Sequence, residues 1–192
     1  MTESHNPRLV NIVGALALAL ADELREATET AAGMSGSAPS ALVALDQFLG
    51  GATTENLAQA IGLTHSGAVR LADRLVELGF VERRPGPDAR SGSIVLTARG
   101  RTASHKVAAA RATVIDGVLH GLSSEDRTAL ELLVERLLTI ITAERLSARR
   151  RGDPPNAWLC RLCDFTSCGR PEGQCPAANA AQANMEARRT KP

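Results

Sequence analysis

The spacing of apolar residues along the chain predicts a mainly α protein with one pair of strands. Apolar residues recur at three- and four-residue intervals, the period of one helix face, over residues 7–32, 37–49, 53–61, 64–78, 97–121 and 123–150. Short runs at residues 80–84 and 93–96 are typical of strands, and a loop rich in Pro, Gly and Arg separates them. The order over residues 53–97 is therefore that of a winged helix-turn-helix, whose second helix usually enters the major groove of DNA.

Capping residues indicate where these helices begin and end. Hydroxyl side chains that can cap a helix N-terminus stand before most of the periodic segments: Ser37, Thr53, Thr64, Thr97 and Ser123. Gly62 can take the left-handed conformation that ends the first helix of the pair. The Gly-Asp-Pro-Pro sequence at residues 152–155 interrupts the last helical pattern.

These signals predict four parts of the chain. They are an N-terminal dimerisation helix (residues 1–37), a winged helix-turn-helix DNA-binding domain with a two-stranded wing (38–97), C-terminal dimerisation helices (98–151) and a small cysteine-rich metal-binding tail (152–192). At 192 residues, one domain with an appendage is the expectation from length alone.

Composition limits how such a protein could hold DNA. Hydrophobic residues make up 44% of the chain but aromatic residues only 2%, so the core must be built from Leu, Val, Ile and Ala. The net charge is only +1, so there is no overall basic field. Any affinity for DNA must come from local clusters of arginine.

Residues 9–21 (LVNIVGALALALA) resemble the apolar core of a secretory leader. Two observations argue against that interpretation. Arg8 is the single preceding positive charge, and the apolar stripe at helical spacing continues past the supposed cleavage point, through Leu9, Ile12, Val13, Leu16, Leu20 and Leu24. The segment is also too short to span a bilayer. We therefore expect a cytoplasmic protein without membrane contact.

The first helix and the last two long helices have more apolar surface than a small winged helix can cover. A symmetric partner would cover it, so the pattern predicts a homodimer. The alternative is a helical bundle formed within one chain.

The wing carries a known signature. Asp88, Arg90, Ser91, Leu96 and Thr97 match the D-x-R-S-x4-L-T pattern, so the chain resembles the MarR family of bacterial transcription regulators. The stretch before the wing agrees as well, at Leu75, Gly79, Phe80, Val81 and Arg83, and the helix order agrees over residues 7–150. The resemblance implies a triangular dimer joined by its first and last helices, which binds a palindromic operator in double-stranded DNA and usually represses. It also implies that a small ligand or cysteine oxidation can release the DNA.

The helix predicted over residues 64–78 is the expected DNA-reading helix. Thr64, His65 and Ser66 can donate to phosphates at its N-terminus, where backbone N–H groups are unpaired. Arg70 lies one to two turns further and can reach guanine. Alternatively, Thr64 is only an N-cap and His65 only a surface histidine.

In the wing, Arg90 is the strongest single candidate, because an arginine on a protruding hairpin suits a narrow minor groove. Its alternative role is a salt bridge to Asp88. Arg83 and Arg84 flank the base of the wing, where we expect one to contact phosphate and the other to be solvated. Ser91 belongs to the same signature and joins the predicted DNA contacts.

Four cysteines close to one another predict a metal site. Cys160, Cys163, Cys168 and Cys175 have the spacing C-x2-C-x4-C-x6-C, and no cysteine precedes them. Four thiolates suit structural zinc or, alternatively, an iron–sulfur cluster; free or disulfide-forming thiols are the third possibility. The MarR pattern has no such tail. Trp158 and Phe165 beside the cysteines are expected to form the small core of this module; alternatively, they shield the site from water or dock the tail on the dimer.

No Ser-His-Asp set, carboxylate pair or phosphate loop is evident, so we expect a protein that is not an enzyme. Cys160 and Cys163 could serve a thiol–redox enzyme, but such motifs stand beside a sheet that this pattern lacks. A winged helix used only as a platform for protein partners is the remaining alternative.

Overall fold

The computed structural model describes residues 6–85, 92–153 and 156–189, and it confirms a mainly helical winged-helix fold. The helices are α1 (Pro7–Ala32), α2 (Ala38–Gln47), α3 (Thr54–Ile61), α4 (His65–Glu77), α5 (Ala98–Leu119), α6 (Ser124–Arg150) and α7 (Pro176–Arg189). The strands are β1 (Val81–Pro85) and β2 (Gly92–Leu96), and a short 3-10 helix spans Leu159–Leu162. β1 therefore lies one residue later than predicted, β2 begins one residue earlier, and α2 ends two residues earlier than the pattern predicted.

Side chains cap four of the five helix starts that the sequence singled out. The hydroxyl oxygens of Thr53, Thr64, Thr97 and Ser123 each accept a backbone N–H from the first turn. Ser37 occupies the N-cap position of α2, but its side chain makes no capping hydrogen bond. Its backbone is helical rather than extended, so the prediction that the Ser37 side chain caps α2 was wrong.

The wing is tied to both sides of the helix-turn-helix. β1 and β2 pair antiparallel, with Val81 opposite Leu96. Ile94 N donates to the Ala52 carbonyl at 2.9 Å, just before α3 begins. At the base of the hairpin, Thr97 Oγ1 donates to the Gly79 carbonyl at 2.7 Å. These bonds fix the wing relative to both α3 and α4.

The core lies around α2, which contacts α1, α3 and α5. Its largest fully buried aliphatic side chains come from five elements: Leu42, Val43, Leu57, Leu75, Ile94 and Val107. The inward face of α4 is formed by Ala68, Ala72 and Leu75, and the small alanines allow close approach. Leu78 lies at the C-cap of α4 and is exposed.

The outer halves of α1 and α6 expose rows of large apolar side chains. On α1 these include Leu9, Ile12, Val13 and Leu16, and on α6 they include Leu133, Val134, Leu137, Ile140 and Ile141. The C-terminal half of α1 is packed instead, because it lies along α5. Among the described residues, no helix combines the length and hydropathy needed to cross a membrane.

Candidate nucleic-acid interface and cysteine site

The N-terminal turn of α4 presents an exposed polar surface. Thr64 Oγ1 accepts the Gly67 N–H at 3.2 Å and lies 3.3 Å from Ser66 Oγ. Thr64 is therefore an N-cap, as its alternative role predicted. Both hydroxyl groups nevertheless remain exposed beside the backbone N–H groups of the helix start. This arrangement is suited to accept a phosphate.

The other two candidates on α4 make weak contacts within the protein. Arg70 Nε donates to the Ser66 carbonyl at 3.3 Å, so the guanidinium lies over the same exposed turn. His65 Nδ1 lies 3.1 Å from Glu55 Oε2 of α3. An exposed pair of this kind contributes little stability and can open when DNA approaches. Of the two, Arg70 has the reach and the fork geometry to bind a guanine edge.

The two arginines at the base of the wing both form ion pairs. Arg83 Nη2 lies 2.6 Å from Asp73 Oδ1 of α4, and Arg84 Nε donates to Glu82 Oε1 at 2.7 Å. All four side chains are substantially exposed. The sequence did not anticipate that α4 would supply a carboxylate to Arg83, because Asp73 and Arg83 are ten residues apart. The predicted DNA contacts Arg90 and Ser91, and the predicted pairing of Arg90 with Asp88, lie outside the described residues.

All four cysteines line one groove of about 480 Å³. The groove lies between α5, α6, the start of α7 and the cysteine segment, which we define as residues 156–175. Cys175 is buried and the other three cysteines are half-buried. None of the four forms a disulfide.

Within this groove the four thiols interact in two pairs. Cys160 pairs with Cys163, and Cys168 pairs with Cys175. The pairing raises the pKa of Cys160 and lowers that of Cys163 to about 6, because one thiol donates to the other and nearby arginines favour the thiolate. Burial raises the pKa of Cys168.

This thiol arrangement is not a finished metal site. Among the described residues, no three His, Cys, Asp or Glu side chains converge in a geometry that would hold an ion. Thiolates bind zinc at about 2.3 Å. The two thiol pairs would therefore have to close toward each other around an ion.

The cysteine segment packs against the helix-turn-helix, as the alternative role of Trp158 and Phe165 allowed, although the sequence did not indicate which surface it would contact. Trp158 N donates to the Ala60 carbonyl of α3 at 2.8 Å. Phe165 N donates to Gln47 Oε1 of α2 at 2.9 Å. The Phe48 ring stacks on both Trp158, at 5.5 Å between centroids, and Phe165, at 5.2 Å. Trp158 and Phe165 therefore do not form a core of the tail alone, and that expectation was wrong.

Comparison with known proteins finds a family match for the helix-turn-helix part of the chain. The sequence profile of the MarR family matches residues 32–91. That span holds α2, α3, α4 and β1, and it includes all eight predicted DNA contacts. No curated protein matches the chain.

Solved structures share the fold over about two thirds of the chain. A MarR family protein from Bacillus stearothermophilus is 23% identical, covers 72% of this chain and 99% of its own, and gives a TM-score of 0.62. YusO from Bacillus subtilis is 21% identical over 68% and 92%, with a TM-score of 0.60. MepR, a transcription regulator of the Staphylococcus aureus multidrug efflux pump MepA, is 17% identical over 68% and 96%, with a TM-score of 0.59.

Proposed function

We propose that the protein is a sequence-specific DNA-binding transcription regulator that represses its target, because residues 32–91 match the MarR family and the fold resembles that of a solved MarR family protein. One observation carries the proposal. The first turn of α4 is exposed and presents the Thr64 and Ser66 hydroxyl groups and the Arg70 guanidinium on one surface next to the wing. The backbone N–H groups at the start of α4 and the two hydroxyl groups would bind a DNA phosphate. Arg70 would bind the edge of a base.

The proposed regulator acts as a homodimer. The exposed apolar rows on α1 and α6 support this, because monomeric proteins rarely leave such long contiguous apolar faces in water. A two-fold axis relating two copies of α4 would present two reading helices to two half-sites. The operator would then be a palindrome.

The four cysteines of the proposed regulator hold one metal centre. Support comes from the four thiols that line one groove and from the small number of buried side chains in the cysteine segment itself. Zinc is the first candidate, because four thiolates make the closed tetrahedral site of structural zinc. An iron–sulfur cluster is the alternative for the same ligand set.

Replacing Arg70 by alanine is expected to weaken operator binding by about 1–3 kcal/mol, because a bidentate contact to a base is lost. The operator is first selected from a random duplex library with the wild-type protein, and affinities are then measured by fluorescence anisotropy at fixed salt. Arg25→Ala is the matched control, since Arg25 is an exposed arginine of α1 that pairs with Asp22. Failure to enrich any duplex would overturn the proposed function, and equal affinities for the two variants would remove Arg70 from the interface.

Replacing Cys168 by serine is expected to abolish tight uptake of one ion per chain, because a closed four-thiolate site does not tolerate the loss of a ligand. Metal content and visible absorption are measured after anaerobic purification. A colourless protein with one zinc supports zinc, and a brown protein supports a cluster. Thr166→Ala is the control, because the Thr166 hydroxyl donates to Asp164 at 2.6 Å and Thr166 is not among the residues that line the thiol groove. Wild-type protein with no stoichiometric ion would contradict the metal site.

A further inference from the structure

A small pocket of about 210 Å³ lies between the C-terminal end of α6, the start of α7 and the cysteine segment. Three arginines form one part of its wall, and we call it the arginine pocket: Arg145, Arg149 and Arg170. Within the described part of the chain, its wall includes no acidic residue. The pocket lies outside residues 32–91, the span that matches the family, so the DNA-binding helices do not account for it.

Contacts within the protein hold two of these arginines in place. Arg145 Nη1 donates to the Ala157 carbonyl at 2.8 Å, and Arg149 Nη2 donates to the Asn156 carbonyl at 3.4 Å. The Arg149 guanidinium also lies over the Trp158 ring, 6.0 Å from its centroid. A guanidinium carries several N–H donors, so both side chains keep further donors for a ligand. The two cationic groups are therefore positioned before any ligand binds, which lowers the entropic cost of binding.

The positive charge of the arginine pocket is not balanced by a carboxylate of the protein. Among the residues that the structure describes, no carboxylate forms an ion pair with Arg145, Arg149 or Arg170. Arg151, at the end of the same helix, does pair with an aspartate. Burial, and then the like charges of Arg161 and Arg149, lower the pKa of Arg145 from its usual value. A bound anion would relieve this repulsion between like charges.

The rest of the wall is apolar and indicates which kind of anion fits. It includes Leu146 of α6 and three alanines of α7: Ala177, Ala178 and Ala181. A hydrocarbon chain gains about fourfold in affinity for each methylene group that it buries, whereas a bare inorganic ion gains nothing from such a wall. The volume is below the roughly 300 Å³ at which pockets for drug-sized ligands begin, so the ligand is small. A singly charged carboxylate costs less to desolvate here than a doubly charged phosphate.

We propose that the arginine pocket binds a small organic carboxylate. The guanidinium groups of Arg145 and Arg149 hold its two oxygens, since the fork of N–H donors on an arginine matches a carboxylate. Arg170 adds a third positive charge to the wall, and the short apolar chain of the ligand lies against the alanines of α7. The site needs neither DNA nor an ion at the four cysteines, so its test is independent of the proposed function.

The fluorescence of Trp158 reports binding, because it is the single tryptophan of the chain and lies in the pocket wall. The full chain is titrated with acetate, propionate and butyrate at fixed ionic strength, with inorganic phosphate in a separate arm, and calorimetry measures the same affinities independently. We expect affinity to rise about fourfold with each added methylene group. Equal affinities for the three carboxylates, or tighter binding of phosphate than of butyrate, would overturn the proposed ligand class. Absence of saturable binding by both methods would overturn the site.

Two substitutions locate the bound butyrate. Arg149→Gln is expected to weaken its binding about tenfold or more, because a hydrogen bond between charged groups is lost. Arg151→Gln is the matched control, since it removes the same charge from the same end of α6 but Arg151 pairs with Asp153 and is not part of the wall. Ala178→Leu keeps every arginine and fills the pocket, so it is expected to abolish binding. Unchanged affinity in Arg149→Gln or in Ala178→Leu, or equal weakening by Arg149→Gln and Arg151→Gln, would overturn the site in folded variants with wild-type unfolding midpoints.

Discussion

Replacing Gly100 by alanine is expected to destabilise the fold by about 3–4 kcal/mol, a severe effect for a single methyl group. Gly100 lies in the first turn of α5 and is buried. A Cβ atom at this position would lie 2.0 Å from the Phe80 carbonyl oxygen and 2.9 Å from Leu96 Cδ2. A backbone oxygen cannot rotate away as a flexible side chain can, so α5 would have to move.

That movement would break the junction between the wing and α5. Thr97 N donates to the same Phe80 carbonyl at 3.0 Å, and Thr97 Oγ1 donates to the Gly79 carbonyl. Thr97 also caps α5 by accepting the Gly100 N–H at 3.1 Å. A displaced α5 loses these bonds together, which is why the expected cost includes a lost cap as well as overpacking.

The midpoint of thermal unfolding measures this effect, and a fall of about 10 °C is expected for a chain of this size. Gly117→Ala is the matched control in the same helix. A Cβ atom at Gly117 meets nothing within 4 Å, so alanine there should stabilise the protein by about 0.5–1 kcal/mol through helix propensity. Similar midpoints of thermal unfolding for the two variants would show that α5 does not approach the Phe80 carbonyl as closely as described.

Replacing Leu16 by glutamate is expected to dissociate the proposed homodimer. Leu16 is 49% exposed in the single chain and belongs to the α1 row that the partner would cover. Because a two-fold axis relates the protomers, each of them contributes one copy of the substitution to the interface. With about 2 kcal/mol for each buried charge, the dimer dissociation constant should rise roughly a thousandfold.

Sedimentation velocity over a range of protein concentrations measures the dimer directly. Leu18→Glu is the control, because Leu18 is even more exposed, at 71%, but lies about 200° away around α1. We expect Leu18→Glu to stay dimeric and to bind the operator as the wild type does, whereas Leu16→Glu should lose both properties. Equal dissociation by the two variants would show that the row on α1 is not the interface.

Local chemistry explains why the sequence predicted the helix ends of the helix-turn-helix so closely. The caps at Thr53, Thr64 and Thr97 were predictable because a hydroxyl side chain bonds to a backbone N–H only three residues away. Gly62 was predictable for the same reason, since a left-handed helix end favours a residue without Cβ. Ser37 failed because the backbone there is helical, a property its side chain does not determine.

Contacts between distant residues explain what the sequence missed. The periodicity of α4 could not show that Ala68 and Ala72 would face inward while Leu78 remained exposed, because that depends on where α4 ends relative to its neighbours. The pairing of Arg83 with Asp73 likewise depends on how the wing folds back onto α4.

The sequence by itself determined the order of helices and strands, the positions of most helix starts, the MarR signature and the presence of four clustered thiols, since each is a pattern within a few neighbouring residues. Only the tertiary structure decided where those thiols lie. Phe165 N meets Gln47 across 118 residues of chain, and Trp158 and Phe165 enclose Phe48. Neither Gln47 nor Phe48 carries a local signal of this role, because hydrogen bonding and ring stacking depend on proximity that folding alone creates.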